Sequence, residues 1–92
     1  MEIRRTAVAG SLESNDVLVL VNLPEGQGVT VSIDSIVIKQ YGKQIEKSVL
    51  EVAAKLGVDK AHFKLTDRGA LDYTIRARVE TAILRAAKEE TV

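Results

Sequence analysis

Residues 17–23 read Val-Leu-Val-Leu-Val-Asn-Leu, a run in which β-branched valines alternate with leucines. Valine favours extended backbone because branching at Cβ restricts its side chain in a helix. Successive side chains of a strand point to opposite faces of the sheet, so the run predicts a strand that is apolar on both faces. If helices cover one face, the other needs cover from the front of the chain, residues 3–12, or from a partner protein.

The segments around this strand show the same period of two. Residues 29–33 and 61–66 alternate apolar with polar side chains and predict two more strands, and residues 7–12 predict a further one. The stretch Pro-Glu-Gly-Gln-Gly at residues 24–28 is rich in turn-forming residues. It predicts that residues 17–23 and 29–33 pair as a hairpin.

Helical spacing covers two longer segments. Apolar side chains recur at every third or fourth position over residues 45–56, and Gly57 is placed to cap that helix in a left-handed conformation. The start of this helix is left open, because apolar residues extend the stripe backwards while Gly42 disfavours a helix interior. A second helix is predicted over residues 71–87. The order of elements predicts an α+β fold, a two-layer sandwich with a mostly antiparallel sheet and two helices packed on one face.

The composition predicts one globular domain over residues 1–92, with residues 88–92 expected to fray. Hydrophobic residues make up 46% of the 92 residues and aromatics only 3%, so the core must be aliphatic. The 13 Lys and Arg residues balance the 13 Asp and Glu residues, which leaves no cationic surplus for nucleic acid. There is no cysteine, no signal peptide and no apolar run near the roughly 20 residues of a membrane span. These features predict a soluble cytoplasmic domain without membrane contact.

The sequence shows no set of residues that would make the protein an enzyme. His62 is the only histidine and falls among the polar residues of a predicted strand, where a surface position is expected. Asp59, His62 and Asp67 lack the spacing of metal ligands, and no nucleophile has a neighbouring base. We therefore predict no catalytic residue and no metal site.

The polar turn Glu-Ser-Asn-Asp at residues 13–16 places Ser14 between two apolar runs. A serine hydroxyl is a weak nucleophile unaided, so a serine that carries a cofactor must be loaded by a separate transferase. The protein itself must supply exposure and room for a long arm, and Ser14 meets both needs. The same residues also form an ordinary hairpin turn, and this alternative stays open.

A second serine lies in a misleading context. Asp34-Ser35-Ile36 is similar to the Asp-Ser-Leu signature of conventional acyl carrier proteins, which are all-helical and strongly acidic. This chain has no net charge, and Ser35 follows a predicted strand. Asp34 or Ser35 is therefore expected to end that strand or to cap the next helix.

Two stretches together resemble a known family. Residues 7–17, Ala-Val-Ala-Gly-Ser-Leu-Glu-Ser-Asn-Asp-Val, are similar to the amino-terminal signature of citrate lyase acyl carrier proteins, the gamma subunits of that complex. Residues 67–80, Asp-Arg-Gly-Ala-Leu-Asp-Tyr-Thr-Ile-Arg-Ala-Arg-Val-Glu, resemble the carboxy-terminal helix signature of the same family. The carrier subunit of malonate decarboxylase shares the second pattern more loosely. The likeness reaches to about Ala87, and Asn15 departs from a family in which a small residue is common there.

This resemblance implies a function and a cofactor. Family members carry a covalent 2'-(5''-phosphoribosyl)-3'-dephospho-CoA arm, which a prosthetic-group transferase joins by a phosphodiester to the serine that matches Ser14. The protein would then be a phosphoprotein of citrate fermentation. The alpha subunit exchanges acetyl for citrate on the thiol of the arm, and the beta subunit cleaves the citryl group. The gamma subunit is non-catalytic and moves the thioester between these two partners.

Two alternatives to this function stay open. One is a malonate decarboxylase-type acyl carrier, which has the same arm and a different cargo. The other is an unmodified protein-interaction module, in which Ser14 is an ordinary turn residue. Arg4 and Arg5 also have two interpretations, because they could neutralise phosphates of the arm or simply be solvated charges.

Overall fold

The computed structural model of the protein describes residues 1–88, over which it forms four strands and two helices. In chain order these are β1 (Ala7–Gly10), β2 (Val17–Asn22), β3 (Val29–Ser35), α1 (Ile38–Lys55), β4 (Ala61–Asp67) and α2 (Asp72–Ala87). Each segment predicted as a strand or a helix forms that element. Of the terminal residues expected to fray, 89–92 lie outside the described residues.

The four strands form one sheet in the order β1-β2-β4-β3. The pairs β1–β2 and β2–β4 are antiparallel, and β3–β4 is parallel. Helix α1 packs against α2 and β3, and α2 packs against β1 and β2. The predicted α+β fold with a mostly antiparallel sheet is confirmed. Gly57 follows α1 with a φ of +71°, as expected for a left-handed cap.

The predicted hairpin between residues 17–23 and 29–33 is wrong, because β4 lies between β2 and β3. After β3 the chain crosses back through α1, so that β4 runs parallel to β3 and pairs with it. There β4 also offers β2 a partner along the whole length of that strand, from Val17 opposite Asp67 to Asn22 opposite His62. Residues 23–28 therefore step across one strand, a distance of about 10 Å at the usual strand spacing, instead of folding back.

The core lies between the sheet and the two helices and is aliphatic apart from Phe63. Strands β2 and β4 fill its centre with side chains that exclude water completely, and both helices contribute residues that are equally buried. The fully buried apolar side chains are Val17, Val19, Val21, Phe63, Leu65, Val49, Val79, Ala82, Ile83 and Ala86. This agrees with the prediction of an aliphatic core.

The outer face of the sheet is open. Leu18 and Leu20 point to it and are half-buried, while Val8 of β1 lies opposite Leu20 and is 48% exposed. The front of the chain thus lies beside β2 as an edge strand and does not fold over it. Cover by residues 3–12 is therefore wrong as an explanation of the second apolar face. Cover by a partner protein stays a prediction.

The two faces of β2 are expected to respond differently to a charge. Val19→Lys places an ammonium in the dry core and should cost more than about 4 kcal/mol in the free energy of unfolding. Leu18→Lys keeps its charge in water and should cost about 1 kcal/mol or less. Urea unfolding followed by circular dichroism measures both. A similar loss of stability in the two variants would contradict an open outer face.

Candidate functional site

Ser14 lies in the loop of residues 11–16 that joins β1 to β2, which we call the Ser14 loop. Its tip is a β-turn in which the Asp16 amide donates to the Glu13 carbonyl at 3.1 Å. Asn15 has a φ of +65°, so the positive φ falls on the third residue of the turn, as in type II turns. Asparagine tolerates this conformation better than most residues, because its short polar side chain suits the left-handed region.

The Ser14 side chain is exposed, as predicted. Within residues 1–88 its hydroxyl has no hydrogen-bond partner, whereas Ser11 in the same loop is bonded to Asp16. A group attached to the Ser14 oxygen would therefore break no internal hydrogen bond.

Asp16 holds the base of the loop in place. Its carboxylate accepts hydrogen bonds from the Ser11 hydroxyl at 2.7 Å and from the Val17 amide at 2.7 Å. Arg78 of α2 donates from Nε at 3.1 Å and from Nη2 at 3.3 Å. The bond from Ser11 and then the bond from Arg78 lower the pKa of Asp16 from 3.8 to about 2. The loop is thus tied to a helix that lies far away in the sequence.

Main-chain bonds tie the Ser14 loop to the turn between β4 and α2. The Asn15 amide donates to the Arg68 carbonyl at 2.9 Å, and the Arg68 amide donates to the Asp16 carbonyl at 2.9 Å. These bonds continue the β2–β4 ladder beyond Asp67. The two stretches that carry the family resemblance, residues 7–17 and 67–80, therefore meet at this point. The hydrophobic periodicity of the sequence did not predict this contact. The only signal for it in the sequence was that both stretches resemble the same family.

Gly10, the last residue of β1, leads into the loop in a conformation that only glycine fits. Its φ is +91°, and a Cβ at this position would lie 1.8 Å from the carbonyl oxygen of Val17. The chain leaves β1 and enters β2 in close contact at this point. The base of the loop is therefore fixed, while its tip carries the exposed serine.

Ser35 does not form a comparable site. It is the last residue of β3, and its hydroxyl donates to the carboxylate of buried Asp67 at 2.7 Å. It also accepts a hydrogen bond from the Val37 amide at 3.1 Å. The expectation that this serine ends the strand is confirmed, and its hydroxyl is already engaged in the structure.

The remaining candidates lie away from the Ser14 loop. His62 contacts the Thr30 hydroxyl at 2.7 Å on the outer face of the sheet. The amides of Arg4 and Arg5 both donate to the Ala86 carbonyl near the end of α2. These two residues precede β1, whereas the Ser14 loop follows it, so they lie at the other end of that strand. No group of three or more potential metal ligands occurs in the described part of the chain. Across residues 1–88, no helix has both the length and the apolar character needed to cross a membrane.

Comparison with known proteins assigns this arrangement to a class. The family model described as malonate decarboxylase delta subunit (MdcD), an acyl carrier model, matches residues 4–86. A chain of the Pseudomonas malonate decarboxylase hetero-tetramer, solved with malonate, has the same fold. Its TM-score is 0.70 at 16% identity, and the match covers 92% of this chain and 87% of that one. The protein is an acyl carrier protein.

Full-length relatives give the family within this class. The citrate lyase acyl carrier protein of Streptococcus mutans serotype c is 52% identical over 90 residues, which cover 98% of this chain and 88% of the relative. That of Escherichia fergusonii is 42% identical over 92 residues, which cover 100% and 95%. The chain belongs to the citrate lyase acyl carrier protein family.

Replacement of the Asp16 carboxylate tests the base of the loop. Asp16→Asn should lower the free energy of unfolding at pH 7 by about 1–2 kcal/mol, allowing for solvent around Arg78. The pKa of Asp16 is lower in the folded state, so its contribution is complete above about pH 4 and is lost as the pH falls towards 2. The difference between the two proteins should therefore shrink over this range. Urea unfolding at several pH values measures it, with Glu13→Gln as an exposed control. A difference independent of pH would contradict the role of the charge.

Alanine substitutions at Gly10 and Gly28 separate the steric clash at Gly10 from the cost of a positive φ. Both have positive φ, at +91° and +81°, but nothing lies within 4 Å of a Cβ at Gly28. Gly28→Ala should therefore cost only the conformational strain of about 1–2 kcal/mol. Gly10→Ala should cost about 1–3 kcal/mol more, because its methyl group overlaps the Val17 carbonyl. Equal losses in chemical denaturation would show that the loop adjusts freely.

Proposed function

We propose that the protein is the non-catalytic acyl carrier subunit of citrate lyase and that its single domain bears a phosphoribosyl dephospho-CoA arm on Ser14. The observation that carries this proposal is the exposed Ser14 hydroxyl, which has no hydrogen-bond partner in residues 1–88 and lies at the tip of a loop with a fixed base. The names of the relatives support citrate lyase as the complex.

The residues around Ser14 fit a phosphodiester. Glu13 and Asp16 carry negative charges beside it, while the Arg78 guanidinium brings a positive charge to the base of the loop. The Asp16 carboxylate is paired with Arg78, so its charge is largely compensated. The charge of a phosphodiester on Ser14 therefore adds to that of Glu13 alone, which the exposed tip of the loop tolerates.

The chain contributes position rather than reactivity. When bound, the arm supplies the thiol that carries acetyl and citryl groups as thioesters. No side chain in residues 1–88 forms a hydrogen bond with the Ser14 hydroxyl, and we expect the transferase to supply the base that activates it. Asp16, Arg78 and Gly10 keep the attachment point rigid, while the exposed tip lets the arm swing between the alpha and beta subunits. A tether of this kind holds the thioester at an effective concentration of roughly millimolar near each site.

The test is modification followed by intact mass measurement. The protein is produced together with the citrate lyase prosthetic-group transferase and the enzyme that makes the precursor of the arm. We expect a mass gain equal to the arm, mapped to the peptide that contains Ser14 and absent from Ser14→Ala. Ser32→Ala removes another exposed serine, on β3, and should be modified as the unaltered protein is.

Two outcomes would contradict this proposal. A folded protein that gains no mass, beside a citrate lyase carrier that does, would return Ser14 to an ordinary turn residue and favour an interaction module. A mass gain that persists in Ser14→Ala would move the attachment site elsewhere.

A malonate decarboxylase-type carrier is the second candidate, because the matching family model carries that description. The cargo distinguishes the two. Loaded protein whose thiol has first been acetylated, mixed with citrate lyase alpha and beta subunits, should convert citrate to oxaloacetate and acetate. Loaded protein mixed with malonate decarboxylase subunits and malonate should remain unreactive. The reverse result would favour the malonate carrier.

A further inference from the structure

A groove of about 410 Å³ opens between the first turns of α1 and α2, close to the Ser14 loop. Its walls are mainly apolar, and two large side chains at its rim remain open to solvent, Tyr41 at 54% and Leu71 at 59%. Ile45 and Ile75 lie deeper and are buried. The floor of the groove is thus part of the core, whereas Tyr41 and Leu71 extend its apolar surface outwards into solvent.

The groove begins next to the Ser14 loop. Gly69 lines it, and a Cβ built on Gly69 would lie 3.8 Å from the side-chain oxygen of Asn15. The carbonyl of the preceding residue, Arg68, accepts the hydrogen bond from the Asn15 amide at 2.9 Å. The groove therefore opens beside Asn15, the residue that follows Ser14.

The charges of the groove select what can occupy it. Asp67 and Asp72 lie in its wall, and its lining residues within the described chain include no cation. Asp72 pairs with Arg76 at 2.7 Å, but Arg76 does not line the groove. A phosphate or pyrophosphate would meet carboxylates and apolar side chains. An uncharged flat ring would instead meet an aromatic face, and its amino group would find oxygen acceptors.

We propose that this groove seats the adenine ring of the arm on Ser14. The inference rests on the proposed function and deepens it. In a phosphoribosyl dephospho-CoA arm the adenosine follows the phosphoribosyl link to the serine, while the thiol lies at the far end of the pantetheine chain. Adenine is therefore the flat aromatic ring of the arm, and it lies nearer to Ser14 than the pantetheine chain does. It stacks on Tyr41 beside Leu71, which holds the nucleoside against the protein and leaves the pantetheine chain and its thioester free to move.

The experiment compares loaded and unloaded protein by NMR after intact mass has established that the arm is attached. We expect nuclear Overhauser contacts from the adenine ring protons to the Tyr41 ring and the Ile75 methyl groups. Amide shifts should change at Gly69 and Leu71. In Tyr41→Ala the contacts should be lost and the adenine signals should move to their positions in free dephospho-CoA.

Tyr73→Ala is the matched control. Tyr73 is also an exposed helical tyrosine, at 72%, but it lines a different groove together with Glu51 and Lys55. The control should retain all contacts from adenine. Tyr41→Leu keeps apolar area without an aromatic face and should lose the upfield shift of the adenine protons.

Three other outcomes distinguish a failure of the groove proposal from a failure of the proposed function. If the arm is attached to Ser14 but its adenine signals match those of free dephospho-CoA, the groove proposal is wrong and the proposed function stands. Contacts from the pantetheine methyl groups to Tyr41, without contacts from adenine, also overturn the groove proposal. If no arm can be attached, the proposed function fails first and this inference fails with it.

Discussion

The insertion of β4 between β2 and β3 is the constraint on which the rest of the structure depends. β4 pairs antiparallel with β2 and parallel with β3, and its inner side chains Phe63 and Leu65 are completely buried. Its end, Asp67, lies opposite Val17, the first residue of β2. The chain therefore leaves β4 beside the Ser14 loop, and α2 begins at the same end of the molecule.

From this placement follows a loop with a fixed base and an exposed tip. The Arg68 main chain extends the ladder to Asn15, and Arg78 reaches Asp16 from α2. Gly10 allows the two strands to approach at the point where the loop begins. A carrier needs both properties, because the attachment point must be presented in a constant place while the attached group moves.

Much of this could be predicted from local patterns. The period of two in residues 29–33 and the spacing over residues 71–87 indicated the elements, since both patterns arise from neighbours along the chain. The polar turn at residues 13–16 was sufficient to predict that Ser14 is exposed. Strand order was not accessible in this way, because the turn-rich residues 24–28 fit a hairpin and a crossing equally well. Single-sequence periodicity does not say which strand lies beside which.

The contacts that complete the site also could not be predicted, for the same reason. Asp16 and Arg78 are 62 positions apart, and only the packing of α2 on β1 and β2 brings them within 3.1 Å. The groove beside the loop exists because α1 and α2 begin close together. The hydrophobic periodicity of the sequence does not predict that proximity. A family resemblance in two separate stretches was the one sign of long-range contact, and it did not specify the contact.

The pairing of Asp16 also explains how an acidic loop can carry a phosphodiester. At neutral pH Asp16 is ionised, and Ser11 and Arg78 further favour its charged form by lowering its pKa to about 2. The same bonds direct its oxygens towards the helix and the base of the loop, and Arg78 compensates the charge. Without this pair the phosphate would be repelled by Asp16 as well as by Glu13, which lies directly beside Ser14. The interaction that fixes the loop thus also makes its tip electrostatically suitable for the group that we propose it carries.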